Sequence, residues 1–272
     1  MGRTCARSVC FAILGASVAL LSTACQQVEV VMYDRSDEPD LAQRYVTRDG
    51  TDRYTLKLGP GAVRVSAPST NKATPEGSAT RTVIWPPSTP AVADQMSCAS
   101  WTDSRGSWVQ QGIALRVRQD GNRFRTIVVA KNIVYGASWQ LNVYTWDTAR
   151  SPYFKTHGSV SLRTPFESGD KPRPLPWKVC ARVEGRLVRV KGWRSEESEP
   201  SWSDRSHTGS VTLPAEWVYA GKAGWYAGHI PPGGTIGMGA LRTSTWKAQA
   251  DPPPAGQPDR QPEARPHALV GP

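Results

Sequence analysis

Short runs of alternating apolar and polar residues, each closed by a turn bearing glycine or proline, constrain this chain more than any other feature. Tyr54-Thr55-Leu56-Lys57-Leu58 alternates, breaks at Gly59-Pro60-Gly61 and resumes at Ala62-Val63-Arg64-Val65. A period of two puts alternate side chains on opposite faces of a strand, so each such pair reads as a hairpin. Residues 112–118 turn at Asp120-Gly121-Asn122 and return as residues 124–131, and residues 177–183 turn at Glu184-Gly185-Arg186 and return as residues 187–193. Along residues 138–146, Trp139, Leu141 and Val143 share one face and Gln140, Asn142 and Tyr144 the other, while residues 82–85, 210–213 and 236–243 supply further strands. With 23 prolines and 24 glycines among 272 residues, long helices have little room. The pattern predicts an all-β domain over residues 41–246, a sandwich or a jelly roll, with no internal repeat.

The N-terminus has a different character. Arg3 and Arg7 precede a charge-free run over residues 9–21, which is shorter than the roughly 20 apolar residues that a spanning helix needs. Followed by small residues, it reads as an export signal over residues 1–24, cleaved after Ala24. Leu21-Ser22-Thr23-Ala24-Cys25 resembles the bacterial lipobox, with Ser22 where that family carries Leu or Val. The resemblance implies a lipoprotein whose Cys25 bears diacylglycerol and palmitate-type chains, holding it on the extracytoplasmic face of the cell membrane. The alternative is an ordinary signal peptide with an incidental cysteine. Residues 25–40, with Asp34, Asp37, Glu38, Pro39 and Asp40, suit a flexible tether, and residues 247–272 a Pro-rich, disordered tail.

On this layout Cys5 and Cys10 leave with the signal and Cys25 carries lipid, so Cys98 and Cys180 remain for one disulfide in an oxidising compartment. Two buried free thiols are the alternative. The formal charge is +10 and falls to +8 without the two signal arginines. Its cations are scattered singly, without the aromatic-interleaved basic stripe of nucleic-acid binding, so nucleic acid is not an expected partner.

From Cys98 onward the order of features resembles the concanavalin A-like, laminin-G-like jelly-roll family of secreted bacterial proteins. The residues that carry the resemblance are Val183-Glu184-Gly185-Arg186-Leu187-Val188-Arg189-Val190-Lys191-Gly192-Trp193, then Glu199-Pro200-Ser201-Trp202, then residues 221–228 as the penultimate strand. Such folds serve sugar-binding modules, adhesive domains and glycoside hydrolases. The Glu-x-Asp-x-x-Glu strand of the glucanase branch, which sets two carboxyls about 5 Å apart for retaining hydrolysis, does not occur here.

The resulting expectation is a non-catalytic domain that binds carbohydrate or wall polymer. Trp202, Trp217 and Tyr219, beside turns after Pro200 and Pro214, are the candidate exposed platform; Trp139, Trp193 and Trp225 read as core. One alternative is a hydrolase with an acid pair drawn from Asp147, Glu167 and Asp170, and another is a structural or protein-interaction domain with the tail as partner site. Glu196, Glu197 and Glu199 read as a solvated acidic loop. No cofactor is expected, with calcium at Asp147 or at Asp34 and Asp37 as the one metal to consider. His157, His207, His229 and His267 show no metal-ligand spacing, and Pro231-Pro232-Gly233-Gly234 reads as a hairpin connector rather than a phosphate cradle.

Overall fold

The hairpins read from the sequence form the frame of two antiparallel sheets. The structure, a computed structural model, describes residues 27–34, 40–73, 78–106, 109–131, 140–169 and 171–248. Cys25, Asp37, Trp139, Asp170, His267 and the tail from residue 249 onward lie outside them. Among the described residues the strands are β1 (Gln27–Asp34), β2 (Ala42–Thr47), β3 (Thr55–Gly59), β4 (Ala62–Ser66), β5 (Arg81–Trp85) and β6 (Gln95–Arg105). There follow β7 (Gln110–Asp120), β8 (Arg123–Lys131), β9 (Gln140–Asp147), β10 (Phe154–Ser161), the short pair β11 (Glu167–Ser168) and β12 (Lys171–Pro172), and β13 (Trp177–Glu184). The last are β14 (Leu187–Arg194), β15 (Thr208–Thr212), β16 (Lys222–Gly228) and β17 (Thr235–Ala248); one helical turn, α1 (Arg163–Phe166), follows β10.

The first sheet runs β15-β14-β13-β6-β17-β4-β3, with β1 also paired to β17, and the second runs β10-β9-β8-β7-β16-β5-β2. This is a jelly-roll sandwich. Consecutive hairpins build each half, and the C-terminal strands β16 and β17 then insert between β5 and β7 and between β4 and β6. Gly121 and Gly185 sit at φ +56° and +52°, the left-handed region that tight hairpin turns require. A side chain at Gly224 would bring a Cβ within 2.2 Å of the Ile84 carbonyl oxygen, so only glycine lets β16 lie against β5 there.

The pleat decides what each sheet buries. Ile113, Leu115, Ile127, Val129, Leu141, Val143 and Trp225 of the second sheet face Trp101, Trp177, Val179, Val188, Val190 and Met238 of the first in one core. Burying each large apolar side chain contributes about 1.5–3 kcal/mol. Leu141 and Val143 point inward as their alternation predicts, and Trp225 and Trp193 are buried. The alternate residues Ala114, Val128, Ala130, Trp146 and Tyr226 form a second cluster.

Polar groups also tie the sheets together. β6 begins its inward face with Gln95 and Ser97, whose side chains donate to the carbonyls of Gly221 (2.8 Å) and Gly224 (2.8 Å) beside and within β16. Polar residues on an inward face hide the alternation, which is why β6 was not legible. Cys98 of β6 and Cys180 of β13 are register partners joined by a disulfide across 82 residues.

Two organisational expectations are corrected. The segment read as a tether contains β1: the N-terminal part of β17 pairs with β4, and β1 takes a further stretch of the β17 edge, fixed by an Arg242–Glu29 ion pair at 2.7 Å and by Tyr33 packing on Trp225 at 5.7 Å. Its acidic residues suggested solvation, but an open strand edge offers ladder hydrogen bonds that composition does not reveal. The compact unit accordingly spans Val28–Lys247. Pro231-Pro232-Gly233-Gly234 is a crossing between sheets, because β16 and β17 belong to different ones.

Candidate functional site

Asp147 closes β9 and organises the turn into β10. Its carboxylate accepts from Arg123 Nε at 2.9 Å and from the second Arg123 nitrogen at 2.6 Å, and its Oδ1 takes the Ala149 amide at 3.1 Å. Arg150 lies 3.2 Å and Arg125 3.6 Å from Oδ2. The Arg123 hydrogen bonds, foremost among these contacts, hold the carboxyl below the usual aspartate value. Asp147 therefore stays ionised and fully committed to guanidinium groups. Three guanidiniums surround it, and among the described residues no three His, Cys, Asp or Glu side chains gather as a metal site. Asp34, at the end of β1, belongs to no such group either.

The turn that Asp147 anchors presents aromatic rings. Tyr153 and Phe154 follow a cis Ser151–Pro152 bond and are among the exposed large apolar side chains, at 45% and 43%. Both stack on Trp146, at 5.7 and 5.2 Å between centroids with interplanar angles of 27° and 28°. They border a pocket of about 310 Å³ whose polar lining includes Thr145, Asp147, Arg150, Lys155, His157 and Glu216. His157 Nε2 lies 2.8 Å from the Thr145 hydroxyl; burial, helped by Lys155, lowers its pKa from the ordinary histidine value, so it is neutral at pH 7. Glu216 is held ionised, chiefly by a backbone hydrogen bond, and it accepts from Arg150 at 3.4 Å.

The opposite wall is placed by a buried cation. Arg116, on β7 at φ 50°, is fully buried, and its guanidinium donates to the carbonyls of Ala93 (2.8 Å), Gly185 (2.7 Å) and Trp217. The last of these bonds holds the 3-10 turn at Ala215–Trp217 against the second sheet.

The aromatics expected as an exposed platform are engaged elsewhere. Trp217 is 2% exposed and carries Arg125 over its ring at 4.8 Å, so it is a core wall of the pocket. Tyr219 has Arg125 at 4.1 Å, and burial raises its hydroxyl pKa above the tyrosine range. Trp202 has Arg182 at 4.4 Å and Lys191 at 4.5 Å from its ring centre, which pins the β14–β15 loop to the outer face of the first sheet. Turn position alone suggested exposure, but nearby guanidinium and ammonium groups claim these rings. Sequence reasoning had Asp147 without its role and missed Tyr153 and Phe154, which lie after Pro152 in a turn whose signal was Ser-Pro alone.

Of the acid-pair candidates, Asp147 and Glu167 do not meet, and Asp170 lies outside the described residues. Glu167 is bonded to Arg163 at 2.9 Å and is absent from the pocket that Asp147 lines. Glu196 and Glu197 pair with Arg194, and Glu199 with Lys191, so the acidic loop is ion-paired rather than merely solvated. In the Asp204-Ser206-His207 cluster both partners meet Nδ1, which makes a local turn and not a relay. His229 is buried.

No family model and no curated protein matches this chain. Among solved structures it is similar to a protein of unknown function with galectin-like fold from Bacillus subtilis, at 7% identity and TM-score 0.50 over 82% of this chain and all of that one. That likeness shows the fold. Weaker likenesses are to the CBM2 module of the evolved Dit of Lactobacillus casei BL23 phage J-1 (10% identity, TM-score 0.48, 83% and 99% covered). Another is the exoplasmic/lumenal domain of VIP36 in a Ca2+/Man3GlcNAc-bound form (10%, 0.42, 78% and 86%).

Proposed function

We propose that this protein binds saccharide in the pocket beneath the β9–β10 turn and does not turn it over, as a lipoprotein of the cell envelope. The observation that carries the reading is the pairing of two exposed aromatic rings, Tyr153 and Phe154, with a polar wall of Arg150, Lys155, His157 and Glu216 in one small concavity. A flat ring offers contact area to the apolar face of a sugar while the polar groups fix its hydroxyls. Both carboxyls that line the pocket are held ionised by cations or backbone, so neither is poised to give a proton to a leaving group.

The anchor belongs to the same reading. Mass spectrometry of the mature N-terminus tests the anchor; an unmodified Cys25 removes it. Binding is tested on glycan and wall-polysaccharide arrays with the wild type and the Tyr153→Ala/Phe154→Ala variant. Losing about 1 kcal/mol per ring should weaken retention tenfold or more. Equal retention by both proteins refutes the site.

A further inference from the structure

We propose that the Tyr153–Phe154 pocket selects saccharides bearing an anionic group, a carboxylate or a phosphate, over their neutral counterparts. This rests on the binding reading above and adds the charge of the ligand.

The basis is a mismatch of charge around one carboxylate. Arg123, Arg125 and Arg150 all lie within 3.6 Å of Asp147, whose side chain is 2% exposed. Glu216 pairs with Arg150 at 3.4 Å and is also drawn to Arg125. Lys155 lines the same pocket and forms no ion pair among the described residues. Asp120, the next acid along β7, is bound to Arg118 at 2.7 Å and also attracts Arg123, so five cations, Arg118 included, share three carboxylates, and two of the cations, Arg150 and Lys155, line the pocket itself. Like charges held this close repel, and the excess is concentrated by a concave site with apolar walls, where field lines are focused.

Arg150 is the group best placed to meet an incoming anion. It lines the pocket and is half exposed, and its contacts to Asp147 (3.2 Å) and Glu216 (3.4 Å) are longer than the 2.6 Å by which Arg123 holds Asp147, while Arg125, at 3.6 Å, is 13% exposed and does not line the pocket. A guanidinium so placed can turn part of its donor fork to a ligand carboxylate or phosphate without leaving Asp147 unpaired. His157, neutral and bonded to Thr145, adds a hydrogen-bonding group at the pocket floor without opposing charge. A pyranose ring on Tyr153 or Phe154 would place its substituents toward this cationic wall.

The test uses matched pairs that differ only in charge: polygalacturonate against its methyl ester, and a phosphomannan against the same mannan after dephosphorylation. Affinities for the full chain are measured by calorimetry at about 50 mM and 500 mM salt. The charged member of at least one pair should bind about tenfold tighter at low salt, with the preference shrinking at high salt as screening shortens the field. Whichever pair shows it names the anion. Lys155→Gln should reduce the preference about threefold, whereas Lys57→Gln, the same charge change on exposed β3 of the other sheet, should leave it as it was. Equal affinity within both pairs overturns the proposal, and so does an equal effect of Lys57→Gln, which would mean diffuse attraction by the net charge. If both members of a pair bind alike and Tyr153→Ala/Phe154→Ala weakens both, the charge inference falls and the binding reading stands. If the aromatic variant changes nothing, both fall.

Discussion

Replacing Asp147 with asparagine keeps the side chain's shape and removes the one buried charge that three guanidiniums share. Breaking a buried ion pair from one side costs about 3–5 kcal/mol, because the remaining charge stays desolvated and unanswered. Here the loss is moderated: Arg123 and Arg150 are 41% and 47% exposed and can turn to water, while Arg125 at 13% cannot. An expected destabilisation of about 2–3 kcal/mol follows, and for a domain of this size it lowers Tm by about 5–10 °C. The pH dependence supplies a second readout. The folded pKa of Asp147 lies below its unfolded value of 3.8, so its contribution is complete above 3.8 and is lost as pH falls through the folded value. Wild type and Asp147→Asn should differ most near neutral pH and converge in acid, measured by thermal melts across the series. A variant within about 2 °C of wild type at pH 7, or a gap that persists unchanged in acid, would refute the account of Asp147 as the keystone of the site.

Other expectations concern the frame. Converting Cys98 and Cys180 to serine releases a loop of 82 residues from the unfolded chain, worth about 4 kcal/mol by the loop-entropy estimate. Denaturant midpoints should fall accordingly while the far-ultraviolet spectrum is kept, since β6 and β13 remain ladder partners; a loss below about 1 kcal/mol would contradict this. Trp202→Ala strips the ring from Arg182 and Lys191, with an expected cost of about 2 kcal/mol. Limited proteolysis should then cut earlier between residues 195 and 206, and unchanged cleavage would count against the pinning of that loop.

Legibility followed the physics of each element. The hairpins β3–β4, β7–β8 and β13–β14 could be read because alternation and a glycine turn are both local. β6 could not, because Gln95 and Ser97 face inward to bond carbonyls at β16, more than a hundred residues away. β1 was hidden for a related reason: its stabilising partner is the edge of β17 near the other end of the described chain. Among site residues, Asp147 was noticed as an acid beside Trp146, yet its three arginines come from different strands and turns, so its ionised, occupied state had no sequence signature.

Sequence by itself determined the secondary-structure class and the hairpin positions, since each depends on side-chain period or backbone freedom at glycine. Tertiary structure alone decided which aromatics meet solvent. Trp202, Trp217 and Tyr219 carry the same residue-level signal as Tyr153 and Phe154, but Trp217 is buried and Trp202 and Tyr219 are half-buried against Arg182, Lys191 and Arg125, whereas the last two rings are exposed. Exposure is a property of what packs above a ring, and nothing in the ring's own neighbourhood of sequence encodes it.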